Sequence, residues 1–290
     1  MEDGFSVEWQ DLQVAIIGMG LMGGSYAEAL RSMGVKRIIG FDKSRAVLAL
    51  AQKAEAIDEA HCRVGRWLAQ ADVVICCIYP QDITAFLTAA VKHLKSGVLV
   101  TDISGIKGLL LTKVEQLLPP GCEFIGGHPM AGREGSGFAM AGADIFAGAS
   151  YIITPTKRSS RAAVSWLRSF AEALGCTDVI SVSSEEHDSQ VAYTSDLPHV
   201  VATALMNCAS FSKDTASFCG GAFRDMTRVA DINPALWAEL LLANGKNVAA
   251  KLHELQEQLA LWDEALQSGN EEALTKLLSK AGKRKRSMRR

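Results

Sequence analysis

Two stretches of this 290-residue chain combine residue types and spacings suited to chemistry. The first is VAIIGMGLMGGS, where Gly18, Gly20 and Gly23 fall in the G-x-G-x-x-G spacing behind an apolar, strand-like run. In such a loop the first glycine makes a tight turn and the second lets backbone approach a pyrophosphate. The third allows close helix–strand packing. Phosphates then meet the free N–H groups of a helix start, which places Leu21 and Met22 beside Gly20 and Gly23 in the site. The following strand-like run ends in GFD, so Asp42 comes roughly 20 residues on, where an acid accepts ribose hydroxyls. An acid there repels a 2′-phosphate and favours NAD. Lys43 and Arg45 just beyond it leave NADP open.

The second stretch is GGHPMAGREG, residues 126–135. His128 reads as a loop histidine on a backbone thinned by Gly126, Gly127 and Gly132. A neutral imidazole near its ordinary pKa is a general base at neutral pH. The competing reading is a structural histidine bonded to a backbone carbonyl. TDISGIK, residues 101–107, and the His128 stretch each follow a strand whose carboxyl end would face a bound nucleotide.

The elements that must position these residues alternate along the first 180 residues. Strand-like runs rich in Val and Ile lie at 12–18, 35–42, 72–79, 97–103, 122–127, 150–155 and 176–182. Segments of helical period at 21–33, 44–54, 82–94 and 158–174 separate them. The fold class expected is therefore α/β: a Rossmann-type, mostly parallel sheet domain over 10–182. Beyond it the strand signal ends. Ser183 or Ser184 can cap a helix, with Glu186 or His187 three residues on, and Pro198 suits the first turn of the next. Further helices are expected at 234–251, 252–266 and 271–281. That makes 183–281 an all-helical domain, followed by a basic, disordered tail over 282–290. Segments such as VVATALMNCASF are apolar on more than one face, so homodimerisation through the helical half is expected.

Composition limits the function classes. Hydrophobic residues make up 48% and charged residues 21%, an ordinary globular balance. A formal net charge of −2 gives no general reason to expect nucleic acid or an acidic membrane as partner. The seven cysteines show no Cys-x-x-Cys spacing, which argues against zinc or a disulfide framework and for a reducing, cytoplasmic location. The opening MEDGFSVEWQ lacks the apolar core of a signal peptide. Apolar runs stay well short of the ~18 residues that a membrane span needs.

Taken together, VAIIGMGLMGGS, VTDISGIK, GGHPMAGRE, EHD, LPH and GAFRDMTRVA with PALW resemble the prephenate and arogenate dehydrogenases of tyrosine biosynthesis. The resemblance runs from about residue 13 to residue 250. It implies oxidative decarboxylation of a cyclohexadienol, with hydride leaving for a nicotinamide and the ring becoming aromatic. His128 matches the family's catalytic histidine and Arg228 its carboxylate-binding arginine. His199 matches a second histidine near the substrate, and Glu134 a position near the substrate entrance.

Two departures stand out. The family's serine after the fourth strand falls on Gly105, while Ser104 comes one residue early; Ser104 is the catalytic candidate if it turns inward. Asp196 stands where many prephenate-using members have His or Gln. A carboxylate there would attract the ammonium of arogenate and gain nothing from the ketone of prephenate. Its other reading is an N-cap for the helix beginning at Leu197. Two rival functions remain at this point. One is a β-hydroxyacid dehydrogenase, faintly echoed by NGKNV at 244–248; the other is a nicotinamide-binding sensor without chemistry.

Overall fold

The computed structural model describes residues 8–133 and 135–288, so Glu134 lies outside the described residues. Eight strands form one sheet: β1 (Gln13–Ile17), β2 (Arg37–Phe41), β3 (Glu59–His61), β4 (Val73–Cys76), β5 (Leu99–Asp102), β6 (Glu123–Pro129), β7 (Ser150–Pro155) and β8 (Asp178–Ser181). Their order is β3-β2-β1-β4-β5-β6-β7-β8. The first six run parallel, β7 turns antiparallel against β6, and β8 runs parallel to β7. Strand order reverses at β1, between β2 and β4, which is where such sheets open a crevice for a nucleotide.

β1 and β4 are almost entirely buried. Val14 and Ile16 enter one apolar core while Ala15 and Ile17 enter another, the period-two signature of a strand covered on both faces. The first core takes its helical side chains from α1 (Leu21–Ser32), α2 (Arg45–Lys53) and α5 (Arg161–Ala173). The second takes them from α3 (Pro80–Ala90) and α4 (Gly108–Leu117). Serine caps start three helices: Ser44 accepts from Val47 N at 3.4 Å, Ser160 from Ala163 N at 3.1 Å, and Ser183 from Glu186 N at 3.1 Å.

The remaining helices are α6 (Ser184–Val191), α7 (Leu197–Met206), α8 (Thr215–Phe218), α9 (Gly221–Thr227), α10 (Pro234–Ala243), α11 (Gly245–Gln267) and α12 (Glu271–Ser287). Among the described residues no strand follows β8.

The chain divides into two compact units after Asp188, which leaves His187 and Asp188 in the unit of the sheet. Three expectations need correction. The strand β3 was not anticipated, since Glu-Ala-His has no apolar alternation and is held by pairing with β2. The break between the two long helices falls at Asn244 rather than after Lys251. Finally, the basic segment from residue 282 is not an unstructured tail, because α12 carries through Ser287. Asn270 caps it, acids fill its first turn, and Arg284, Lys285 and Arg286 fill its last, so both ends suit the helix dipole.

Candidate active site

The glycine loop behaves as its spacing demands. Gly18 has φ +94°, and a Cβ there would fall 2.5 Å from the Cys77 carbonyl oxygen. A Cβ on Gly23 would lie 1.8 Å from the Gly18 carbonyl, so no other residue fits between helix and turn. Around Gly20 a Cβ would meet nothing within 4 Å, which leaves the backbone open at the start of α1. Leu21 and Met22 are the first residues of α1, and Gly20 offers no side-chain cap to their N–H groups. The Asp42 carboxylate accepts from Met19 N at 2.9 Å and Ser44 N at 2.8 Å, tying the loop to the end of β2. Each of its oxygens keeps a second lone pair for a hydroxyl donor.

His128 is not in a loop. It lies in the last residues of β6, paired with Ile152 of β7. The glycines before it make room for the protein's own side chains. A Cβ on Gly126 would sit 2.2 Å from Thr154 Oγ1 and 3.0 Å from Lys107 Cδ; one on Gly127 would sit 2.4 Å from Tyr151 Oη. Only Gly132 of the three has open space around it. The backbone thinned at Gly126 and Gly127 is thus filled from within the protein.

Beneath His128 lies a fully buried ion pair. Lys107 Nζ donates to both Asp102 oxygens at 2.8 and 2.7 Å and to the Gly127 carbonyl at 2.7 Å. Asp102 in turn accepts from Gly127 N at 3.2 Å. Burial pulls the Lys107 ammonium down from its ordinary pKa, and Asp102 opposes that shift. Removing one partner of such a pair costs about 3–5 kcal/mol, because the other charge is stranded.

On its other side His128 meets α6. His128 Nδ1 and His187 Nε2 are 2.9 Å apart, and His187 Nδ1 is 2.7 Å from Asp188 Oδ1. Asp188 also accepts from Lys107 N at 2.9 Å and Gly108 N at 2.8 Å, at the start of α4. The ionised carboxylate only accepts, so we assign the proton on His187 to Nδ1. His187 Nε2 then offers a lone pair, His128 Nδ1 must donate to it, and His128 Nε2 is left as an acceptor. Burial first, then the Lys107 ammonium, then His187, push the His128 pKa well below its ordinary value. The imidazole is thus held neutral, with its basic nitrogen free.

Ser104 does not join this pair of histidines. Its hydroxyl bonds to the Asp102 carboxylate and lies 2.9 Å from the Ile106 carbonyl, and the residue is buried. That corrects the catalytic role expected of it. Gly105 faces the imidazole instead: a Cβ there would stand 3.7 Å from His128 Cε1 and 3.8 Å from Nε2.

The second unit carries its own cluster. His199 on α7 stacks on Trp237 of α10 with centroids 3.7 Å apart, and its Nδ1 lies 2.8 Å from the Ser195 carbonyl. Burial lowers the His199 pKa, the Ser195 carbonyl opposes, and the nearby Arg228 guanidinium adds to the lowering. The two rings line a cavity of about 420 Å³ together with Thr203 and Leu241. Arg228 is exposed, just past α9. Asp196 is no helix cap. It ends a π-helical turn, Ala192–Asp196, that joins α6 to α7 without interruption, and its backbone is helical. Its buried carboxylate accepts from Asn244 Nδ2 at 2.9 Å. Lys246, the residue behind the β-hydroxyacid dehydrogenase reading, is exposed on α11.

Sequence reading missed the Asp102–Lys107 pair and the His187–Asp188 relay. Both were visible as charged residues beside apolar strand and helix positions, in TDISGIK and EHD. Burial, which decides their roles, was not. Trp237 and Asn244 were likewise unmarked.

The family model described as prephenate dehydrogenase, nucleotide-binding domain, matches residues 26–180, and that described as prephenate dehydrogenase, dimerization domain, matches 183–280. A prephenate dehydrogenase of Bacillus subtilis is 32% identical over 247 residues, covering 83% of this chain; the chain spans 66% of that relative's length. A cyclohexadienyl dehydrogenase of Zymomonas mobilis is 30% identical over 237 residues, 80% of each chain. Among solved structures, prephenate dehydrogenase from A. aeolicus, in complex with hydroxyphenyl propionate and NAD+, aligns with TM-score 0.88 at 29% identity, covering 97% of this chain and 99% of its own. Arogenate dehydrogenase of Synechocystis aligns with TM-score 0.83 at 28% identity, covering 96% and 100%. With both family models matched in order along most of its length, the chain belongs to the prephenate dehydrogenase family.

Proposed function

We propose that this chain is an NAD(P)-dependent dehydrogenase that oxidatively decarboxylates prephenate, arogenate or both, giving 4-hydroxyphenylpyruvate or tyrosine in tyrosine biosynthesis. The observation that carries the reading is the His128–His187–Asp188 chain, which presents His128 Nε2 as a neutral proton acceptor. NAD fits the loop of Gly18, Gly20 and Gly23, the start of α1 at Leu21 and Met22, and Asp42. When bound, the nicotinamide supplies the hydride acceptor.

The protein's own work is positioning and proton handling. His128 Nε2 takes the proton of the ring hydroxyl as that C–O bond becomes a carbonyl. The resulting imidazolium is stabilised through His187 Nε2 and, beyond it, the Asp188 carboxylate. Loss of carbon dioxide sends the electron pair of the broken C–C bond into the ring. The oxygen then recovers the proton from His128, leaving a phenol and no net proton change at the protein. Arg228 holds the ring carboxylate, since a guanidinium matches a carboxylate in a bidentate fork. The resemblance gives His199 a role near the substrate and Glu134 a place near the substrate entrance.

Asp196 tilts the enzyme toward arogenate. An ionised carboxylate accepts hydrogen bonds, so it pairs with an ammonium and not with a ketone. The working form is a homodimer through the helical unit. Leu242, Leu259 and Leu266 are 82%, 56% and 63% exposed there, and the family model that matches is described as a dimerization domain. Sedimentation of wild type against Leu242→Glu tests this: the variant should weaken association. A cytoplasmic setting suits seven cysteines that are all free. Among the described residues no helix is long and apolar enough to cross a membrane.

Turnover of His128→Asn tests the central assignment. It should lose turnover by about 10²–10⁴-fold while still binding NAD.

A further inference from the structure

The ladder between β5 and β6 stops at Thr101 and Ile125. Two residues further along β6, Gly127 still has an N–H and a C=O pointing toward β5, and no strand partner reaches them there. Asp102 accepts from that N–H at 3.2 Å and Lys107 donates to that C=O at 2.7 Å. The two side chains, both 0% exposed, therefore take the place of a further ladder step. Gly127 immediately precedes His128, so the peptide that carries the imidazole is anchored by an ion pair.

We propose that Lys107, clamped with Asp102 onto both ends of Gly127, is a positioning residue that fixes His128 and keeps it ready to accept a proton. This rests on the reading of His128 as the proton acceptor. Three further observations favour it. A Cβ on Gly126 would fall only 3.0 Å from Lys107 Cδ, so this glycine makes room for the lysine stem. Ser104 Oγ, 3.4 Å from Lys107 Nζ, closes the cluster and is thereby withdrawn from the imidazole. The lysine charge also opposes a second positive charge on His128, in the same direction as burial does. The titratable groups around the imidazole are Asp102 and Lys107 from the β5–α4 segment and His187 and Asp188 from α6; the Tyr151 hydroxyl from β7 packs at Gly127.

Lys107→Met alone strands a buried carboxylate and can fail to fold, so the test uses two other variants of the full chain with NAD. Asp102→Asn/Lys107→Met removes both charges; Asp102→Asn keeps the ammonium without its counter-charge. The readout is the pH profile of kcat/KM for prephenate or arogenate, whichever the wild type turns over. The acid limb should move up by about one pH unit in the double variant and down in the single one. Plateau kcat should fall about tenfold in the double variant, with the NAD dissociation constant unchanged. Folded variants that keep the wild-type limb and kcat, or that shift the limb in the same direction, would overturn the proposal. Should the single variant, which strands a buried ammonium, not fold, the limb and kcat of the double variant decide. His128→Asn, measured alongside, separates the two readings. Wild-type turnover in that variant would remove His128 as acceptor, whereas lost turnover with an unmoved limb in the charge variants would remove only Lys107.

Discussion

His128 Nδ1 and His187 Nε2 face each other at 2.9 Å, with the rings tilted by 57° and Asp188 bonded to the far side of His187. This places a histidine, rather than a carboxylate, directly behind His128, the proposed proton acceptor. His187 orients its neighbour through the contact at its Nε2, and the Asp188 carboxylate one residue away sets which of its nitrogens carries the proton. His187→Phe should therefore lower kcat by about 10²-fold while changing KM little, since orientation and proton handling are lost but no substrate contact is. Steady-state kinetics on the folded variant checks this; an unchanged kcat would reduce His187 to core packing.

The low pKa of His128 has a signed consequence for pH. The base must be unprotonated to act, so kcat/KM should rise with pH to a plateau. Burial, Lys107 and His187 all push the pKa down, so the midpoint of that limb should lie below the ordinary histidine value of about 6.5. A midpoint above that value in the free enzyme would contradict the arrangement around His128.

Gly127 is required for space rather than for flexibility. Gly127→Ala drives a Cβ to 2.4 Å from Tyr151 Oη and 2.9 Å from the Asp102 carbonyl. Overpacking of this kind costs about 1–3 kcal/mol, which should appear as a lower Tm. Adding Tyr151→Phe should recover part of the loss but not all, because the Asp102 carbonyl stays in place. Full recovery, or no effect of Gly127→Ala alone, would contradict the packing described.

The carboxylate at Asp196 makes the substrate preference testable. Asp196→Asn keeps the shape and a hydrogen bond with Asn244 while removing the negative charge. The ratio of kcat/KM for arogenate over prephenate should fall by about tenfold or more, the scale of one charge-assisted hydrogen bond. A ratio unchanged from wild type would leave Asp196 as a structural partner of Asn244.

The parts of the molecule that sequence reveals are those governed by local rules. The glycine loop was legible because each glycine answers a backbone demand, at Gly18 by its positive φ and at Gly23 by its 1.8 Å approach. Seven of the eight strands were legible from continuous apolar runs; β3, three residues with no apolar pattern, depends on the edge of β2. Gly126 and Gly127 looked like loop glycines because the side chains that fill their space come from elsewhere, Thr154 and Tyr151 from β7 and Lys107 from the start of α4. Asp196 before Leu-Pro looked like a helix cap, and only the uninterrupted π turn shows that no helix begins there. Ser104 and Gly105 differ by one position. Which of them faces His128 is set by the bond from Ser104 to Asp102, a contact that spacing alone does not reveal.

The central claim is the chemistry itself, and the rate of NADH or NADPH formation with prephenate and, separately, arogenate tests it most directly. Each oxidised cofactor should be tried. The account predicts turnover that is favoured by NAD over NADP and by arogenate over prephenate. Preference for prephenate would remove the role given to Asp196 and leave the reaction standing. No turnover of either substrate with either cofactor would contradict the account of His128 as the proton acceptor of an oxidative decarboxylation.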